Sequence, residues 1–183
     1  MTSIRNFGIA ALLLAGTAMA NAANPNVGGA PMFENKNIIE NAVNSKDHTT
    51  LVAAVKAAGL VETLQGKGPF TVLAPVNSAF AALPAGTVET LLKPENKGQL
   101  TKILTCHVIS ANALSSAITK MVADDGGAHK VKTVGGCMLT LSTKNGKVLI
   151  KDEAGNTATV TIADVKQSNG VIHVIDKVLL PKS

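Results

Sequence analysis

Cys106 and Cys137 are the two cysteines of the chain, and His107 follows the first directly. Thiols beside an imidazole can close a disulfide, act as nucleophiles once deprotonated, or bind a soft metal. An even cysteine count fits an oxidising compartment, so a disulfide is the first expectation. Closing the 30 residues from 107 to 136 would stabilise the fold by about 3 to 4 kcal/mol in the chain-entropy account. Two buried free thiols are one alternative. A metal site completed by His107 is another, without a CxxC or HxxxH spacing to support it, and no metal or cofactor is expected. His173 lies in the apolar run Val171-Ile172-His173-Val174-Ile175. Like His107, it reads as a structural imidazole that holds backbone groups. No Ser or Cys with a carboxylate partner forms a recognisable nucleophile motif around either histidine, which leaves a hydrolase built on them without its nucleophile.

The elements that position these groups follow an export-like start. Arg5, the apolar stretch 7–19 and the small-x-small runs ending at Ala20 and Ala22 read as a signal peptide over 1–22. The apolar stretch is shorter than the roughly 20 residues of a membrane span. No cysteine sits at the cleavage points and the tail 180–183 is no anchor, so an exported, periplasmic or secreted chain without stable membrane insertion is expected. Residues 23–34, rich in Gly, Pro and Asn, read as a flexible leader, and 35–183 as one domain.

The formal charge of +5 is mild, and the lysines are scattered from Lys36 to Lys182 with no Trp or Tyr between them. Nucleic acid is therefore not an expected partner. A weak attraction to anionic cell-surface polymers is compatible with the charge. Four Phe as the whole aromatic content imply an aliphatic core and argue against a carbohydrate site built on stacked rings.

Ile38, Ile39, Ala42 and Val43, then Leu51, Val52, Val55 and Ala58 before Gly59, fall at helical spacing. Residues 70–73 read as a buried strand, and Asn77 is placed to cap a helix over 78–83 that Pro84 ends. Thr87 caps a helix to 92, Pro94 opens another carrying Leu100, Ile103 and Leu104, 106–109 is β-prone, and 111–118 is helix-like. After Gly126-Gly127 the pattern turns to strands over 131–134, 137–142, 148–151 and 158–165, with turns at Gly135-Gly136, Asn145-Gly146 and Gly155-Asn156. The last strand is 171–179, after a turn in which Gly170 is expected to take a positive φ. Helices first and a meander last predict an α+β fold, with helices packed on a mostly antiparallel sheet.

Two segments carry a family resemblance. Gly68-Pro69-Phe70-Thr71-Val72-Leu73-Ala74-Pro75-Val76-Asn77-Ser78-Ala79-Phe80 and Asn169-Gly170-Val171-Ile172-His173-Val174-Ile175-Asp176-Lys177-Val178-Leu179-Leu180-Pro181 together resemble the fasciclin domain, with Ile103-Leu104-Thr105-Cys106-His107-Val108 as a weaker landmark between them. The resemblance covers about 35–181. It makes Thr71, Pro75, Asn77, Phe80, Asn169, Gly170, His173 and Asp176 motif residues, with Asp176 expected to cap or pair locally. It implies a fasciclin-like fold and a non-catalytic adhesion module that binds a cell-surface or matrix protein or polysaccharide. A carrier of a small hydrophobic ligand is the alternative. The family's Tyr-His pair is associated with adhesion; here Cys106 replaces the Tyr and only His107 carries over. Ala163-Asp164-Val165 resembles an Asp-Ile integrin-recognition motif of animal members, in which an exposed Asp164 at a strand end would complete a receptor-held cation's coordination beside Val165; the alternative is a solvated Asp that ends a strand, and the resemblance implies the surface and not the receptor.

Overall fold

The computed structural model describes residues 24–182. The expected export segment 1–22 lies outside the described residues. The expected leader does not stay loose: β1 (Asn26–Val27) and β2 (Ala30–Pro31) pair antiparallel across Gly28 and Gly29, whose φ of 61° and 79° only glycine takes without strain. Val27 and Met32 are buried, so the packed unit begins before Asn35.

The first helix, α1 (Ile38–Ala42), starts in a capping box: Asn37 Oδ1 accepts from the Glu40 N–H and Glu40 Oε2 accepts from the Asn37 N–H. Next comes α2 (Thr49–Ala58), which buries Leu51, Ala54, Val55 and Ala58 and ends at Gly59 in the left-handed region. Helices α3 (Val61–Gln65), α4 (Asn77–Ala81), α5 (Thr87–Leu91) and α6 (Lys97–Thr105) are short and amphipathic, and β3 (Phe70–Pro75) lies between α3 and α4. Two expected caps differ. Thr87 makes no side-chain cap bond and Gly86, at φ 80°, precedes α5; Asn77 is itself the first residue of α4 and caps another helix.

Cys106 closes α6, so the expected strand 106–109 shrinks to β4 (Val108–Ile109). The expected helix 111–118 forms later, as α7 (Ser115–Asp124), because its amphipathic register is set by Ile118 and Val122. The meander follows as β5 (Ala128–Lys132), β6 (Met138–Lys144), β7 (Lys147–Lys151), β8 (Thr157–Gln167) and β9 (Gly170–Ile175). Asn145 and Gly146, at φ 52° and 74°, make the tight β6–β7 turn.

One seven-stranded sheet results, in the order β4-β3-β9-β8-β7-β6-β5. All pairs are antiparallel except β3 with β9. That parallel pair is buried on both faces, which explains why its segments read as continuous apolar runs rather than alternations. On one face Val72, Ala74, Ile172 and Val174 join the core of α1 to α6. On the other, Leu73 and Ile175 join Leu139, Leu141, Ile150 and Val160 beneath Ile118 and Val122 of α7.

Candidate functional site

Most landmark residues lie on or beside the β3–β9 pair. Asn169 sits in the turn before β9. Its Oδ1 accepts from the Ile38 N–H at 3.1 Å, and its Nδ2 donates to the carbonyls of Leu64 at 2.8 Å and Gly66 at 3.0 Å. One amide thus caps α1 and ties down the end of α3. Gly170 does not take the expected positive φ; it is glycine because a Cβ there would collide with the Phe70 carbonyl of β3. Thr71 Oγ1 donates to the Ala111 carbonyl at 2.6 Å and accepts from the Ala113 N–H at 2.8 Å, clipping the loop before α7 to the sheet. Asn77 Oδ1 accepts from the Thr50 N–H at 3.0 Å and its Nδ2 donates to the Lys46 carbonyl, so it caps α2 across space. Pro75 pairs with Ile175 at the far end of the parallel ladder, and Phe80 is buried in the helical core. Asp176 Oδ1 accepts from the Thr159 N–H at 2.7 Å, prolonging the β8–β9 ladder with a side chain.

Between Ile162 and Val165, two residues of β8 oppose the single His173 of β9, a bulge that puts Asp164 at φ 59°. The displaced Asp164 N–H donates to His173 Nδ1 at 3.2 Å, and His173 Nε2–H donates to the Ala113 carbonyl at 2.7 Å. Asp164 Oδ1 accepts from the Ser115 N–H at 2.6 Å while Oδ2 accepts from the Ser115 hydroxyl. The carboxylate is thereby the cap of α7, favoured there by the helix dipole. The expected exposed carboxylate at a strand end is thus a half-buried one in mid-strand, and Val165 beside it is fully buried. A partner reaching Asp164 would meet a carboxylate already bonded to the first residue of α7.

His107 is buried in the opposite tautomer: Nδ1–H donates to the Ile103 carbonyl at 2.8 Å and Nε2 accepts from the Leu179 N–H at 2.9 Å. Burial pushes its pKa down to about 4. His173 is lowered by burial too. Both are neutral braces, and neither presents its ring to a partner. Among the described residues neither has a hydroxyl or thiol as a hydrogen-bond partner. The Ser–His contact that exists, Ser45 Oγ to His48 Nδ1 at 2.9 Å, is buried, with its other nitrogen facing the Ala74 carbonyl. His48 was not singled out from sequence; its place just ahead of the amphipathic α2 is the signal that could have found it. Cys106 and Cys137 form a disulfide with Cα atoms 5.4 Å apart, pinning the end of α6 to the start of β6. Among the described residues no cluster of His, Cys, Asp or Glu is arranged to hold a metal, and no helix is long and apolar enough to cross a membrane.

Two hollows flank this framework. One, of about 50 Å³, lies in the helical core and is lined by apolar side chains that include Val27, Met32, Ile39 and Val55. The other is an open polar cleft of about 550 Å³ around Lys67, Asn112 and Ser168.

Residues 46–181 match the Fasciclin domain family model. Protein sll1483 of Synechocystis is 54% identical over 144 residues, covering 79% of this chain and 73% of that protein. The immunogenic protein MPT70 of Mycobacterium tuberculosis is 32% identical over 145 residues, 76% of this chain and 66% of that protein. Transforming growth factor-beta-induced protein ig-h3 of Sus scrofa is 40% identical over 131 residues, 72% of this chain but 17% of that protein. In structure, the chain resembles the FAS1 domain pair of the insect cell adhesion molecule Fasciclin I, with a TM-score of 0.57 at 23% identity, over 71% of this chain and 43% of the other.

Proposed function

This chain belongs to the fasciclin domain family, and on that premise we propose that it is an exported, non-catalytic adhesion module that binds a cell-surface or matrix polymer. The observation that carries the reading is the family match over 46–181, together with relatives that include a "cell surface glycolipoprotein", MPB83, of Mycobacterium bovis. The fold supports it by what it does with its reactive groups: both family-landmark histidines are braces, both cysteines are bridged, and Asp164 caps a helix. What is left for a partner is surface. The export segment 1–22 belongs to the same proposal.

Carriage of a small hydrophobic ligand stands second, on the apolar hollow under α1 and α2. Its volume of about 50 Å³ is well below the roughly 300 Å³ at which pockets begin to enclose drug-sized ligands.

The test is attachment. Producing cells, and a second cell type from the same habitat, are allowed to settle on surfaces coated with the purified exported chain, on bare surfaces, and on surfaces coated with an unrelated protein of equal charge. Attachment above both controls is expected. Equal attachment on all three would sink the adhesion reading and move the weight to carriage.

A further inference from the structure

We propose that the solvent face of the meander β5–β8 is a docking surface for a linear acidic polysaccharide; this deepens the adhesion reading and rests on it. Strand alternation decides which side chains share that face. Lys130 opposes Thr140, Thr140 opposes Lys151, and Lys144 opposes Lys147, so these residues, with Lys132 two positions along β5, project to one side. All five lysines are exposed. The reverse side carries Leu139, Leu141, Val148 and Ile150 and is covered by α7.

Among the described residues these ammonium groups have no acidic partner within ion-pair distance. The Lys120–Asp124 ion pair and the His129–Asp125 hydrogen bond, the two such contacts among the described residues, use none of them. The carboxylates nearest in sequence are engaged elsewhere: buried Asp152 accepts from the N–H groups of Asn156 and Leu180, and Glu153 from those of Met138 and Lys182. Lys144 directly opposite Lys147 is a like-charge cross-strand pair, an arrangement that destabilises a hairpin. A polyanion laid across the pair would reverse that cost.

The arrangement selects among polyanions. Lysines two apart on a strand stand about 7 Å apart, and neighbouring strands about 5 Å. The result is a twisted array of cations in which Thr140 lies between Lys130 and Lys151, with the hydroxyls of Ser142, Thr157 and Thr159 beside the lysines. Carboxylates or sulfates along a sugar chain, with hydroxyls between, match both groups. Single-stranded nucleic acid needs stacking platforms, and the chain has no Trp or Tyr. A bilayer needs bulky apolar residues to insert, and among the strand residues of this face the apolar ones are Met138, Leu149 and the small Ala128. Binding here is by ion pairs and hydroxyls, so the scarcity of aromatic rings is no obstacle.

The experiment measures binding of the exported chain to alginate and to dextran sulfate, with neutral dextran, single-stranded DNA and phosphatidylglycerol vesicles alongside. The face variant carries Lys130→Gln, Lys144→Gln, Lys147→Gln and Lys151→Gln; the control carries Lys36→Gln, Lys56→Gln, Lys97→Gln and Lys182→Gln, an equal loss of charge elsewhere. Circular dichroism confirms that both fold. Expected are binding to the acidic polysaccharides and not to neutral dextran, a loss of about tenfold or more in the face variant, and less than about threefold in the control. Equal losses in both variants would reduce the effect to net charge and overturn the docking face. Absence of binding would do the same, as would tighter binding to DNA or vesicles. Cell attachment run in parallel separates the two readings: cells that attach to wild type and face variant alike would overturn this surface and leave the adhesion module standing.

Discussion

The turn into β9 and the outer face of the meander treat polar side chains in opposite ways. Around Asn169 and His173 every polar atom is used, and among the described residues no buried side-chain nitrogen or oxygen lacks a partner. On the outer face, lysines and hydroxyls stand in an ordered pattern with little to bind within the chain. The difference separates recognisable residues from available ones. A motif residue is recognisable because its geometry admits few substitutes, and that same geometry commits it to the fold. Partners have to use what the fold leaves over, where residue types are ordinary.

The contrast breaks first at Gly170. Replacing it with Ala would drive a Cβ into the Phe70 carbonyl and pry apart the parallel pair that both cores share. A loss of about 4 kcal/mol or more is expected in urea unfolding, against roughly 0.5 kcal/mol or less for Lys→Gln substitutions on the meander face. Asn169→Ala, which orphans three backbone groups, should cost about 3 kcal/mol. A Gly170→Ala variant with wild-type stability would mean that the strands separate more easily than their packing implies.

The disulfide joins the two regions, and its removal comes next in size. It ties the end of α6, in the helical half, to the loop that opens β6. Cys106→Ala with Cys137→Ala should lower stability by about 3 kcal/mol, read as a shift of the urea midpoint at unchanged slope. A fall in slope would instead indicate that the meander unfolds separately from the helices, making the bridge a coupling between the halves.

What sequence conveyed follows the same division. Periodicity, Gly59 and Asn145-Gly146 placed α2 and the β6–β7 hairpin because their signals are local. The parallel β3–β9 pair was visible only as two apolar runs, since strand order depends on contacts about 100 residues apart. Asn77 and Asp164 were misjudged for one reason: each caps a helix distant in sequence, α2 and α7, and no spacing rule reaches that far. The leader was misjudged because Gly28-Gly29 encodes a tight turn as readily as a loose segment. The lysine face was legible only in part. Its residues looked scattered along the chain, and register gathered them.

Acid should act on the buried network and provides the third comparison. The folded pKa of His107 lies near 4, below the unfolded value of 6.5. Between those values the unfolded chain binds the proton more readily, so stability falls as pH falls from about 6.5 towards 4. A loss of about 2 kcal/mol between pH 7 and pH 5 is expected from His107 alone, and His48 and His173, both lowered by burial, add in the same direction. In His107→Gln, urea midpoints measured across that range should depend less steeply on pH. An unchanged slope would place the titration on the other two histidines.

The smallest expected effect is the most specific to the outer face. Lys144 opposes Lys147 across β6 and β7, and their repulsion is a cost that the free protein bears. Lys144→Thr should therefore raise stability, by about 0.5 kcal/mol at low salt. Threonine is also the better strand former, so a gain by itself does not identify repulsion. Ionic strength does: screening shrinks a repulsion between exposed charges and leaves strand preference untouched. If the gain shrinks markedly between about 10 mM and 1 M salt, where the screening length falls from about 30 to 3 Å, the pair is a standing electrostatic cost that binding can relieve. A gain that ignores salt would make Lys144 merely a poor strand residue, and the face would lose its strongest sign of having been kept for a partner.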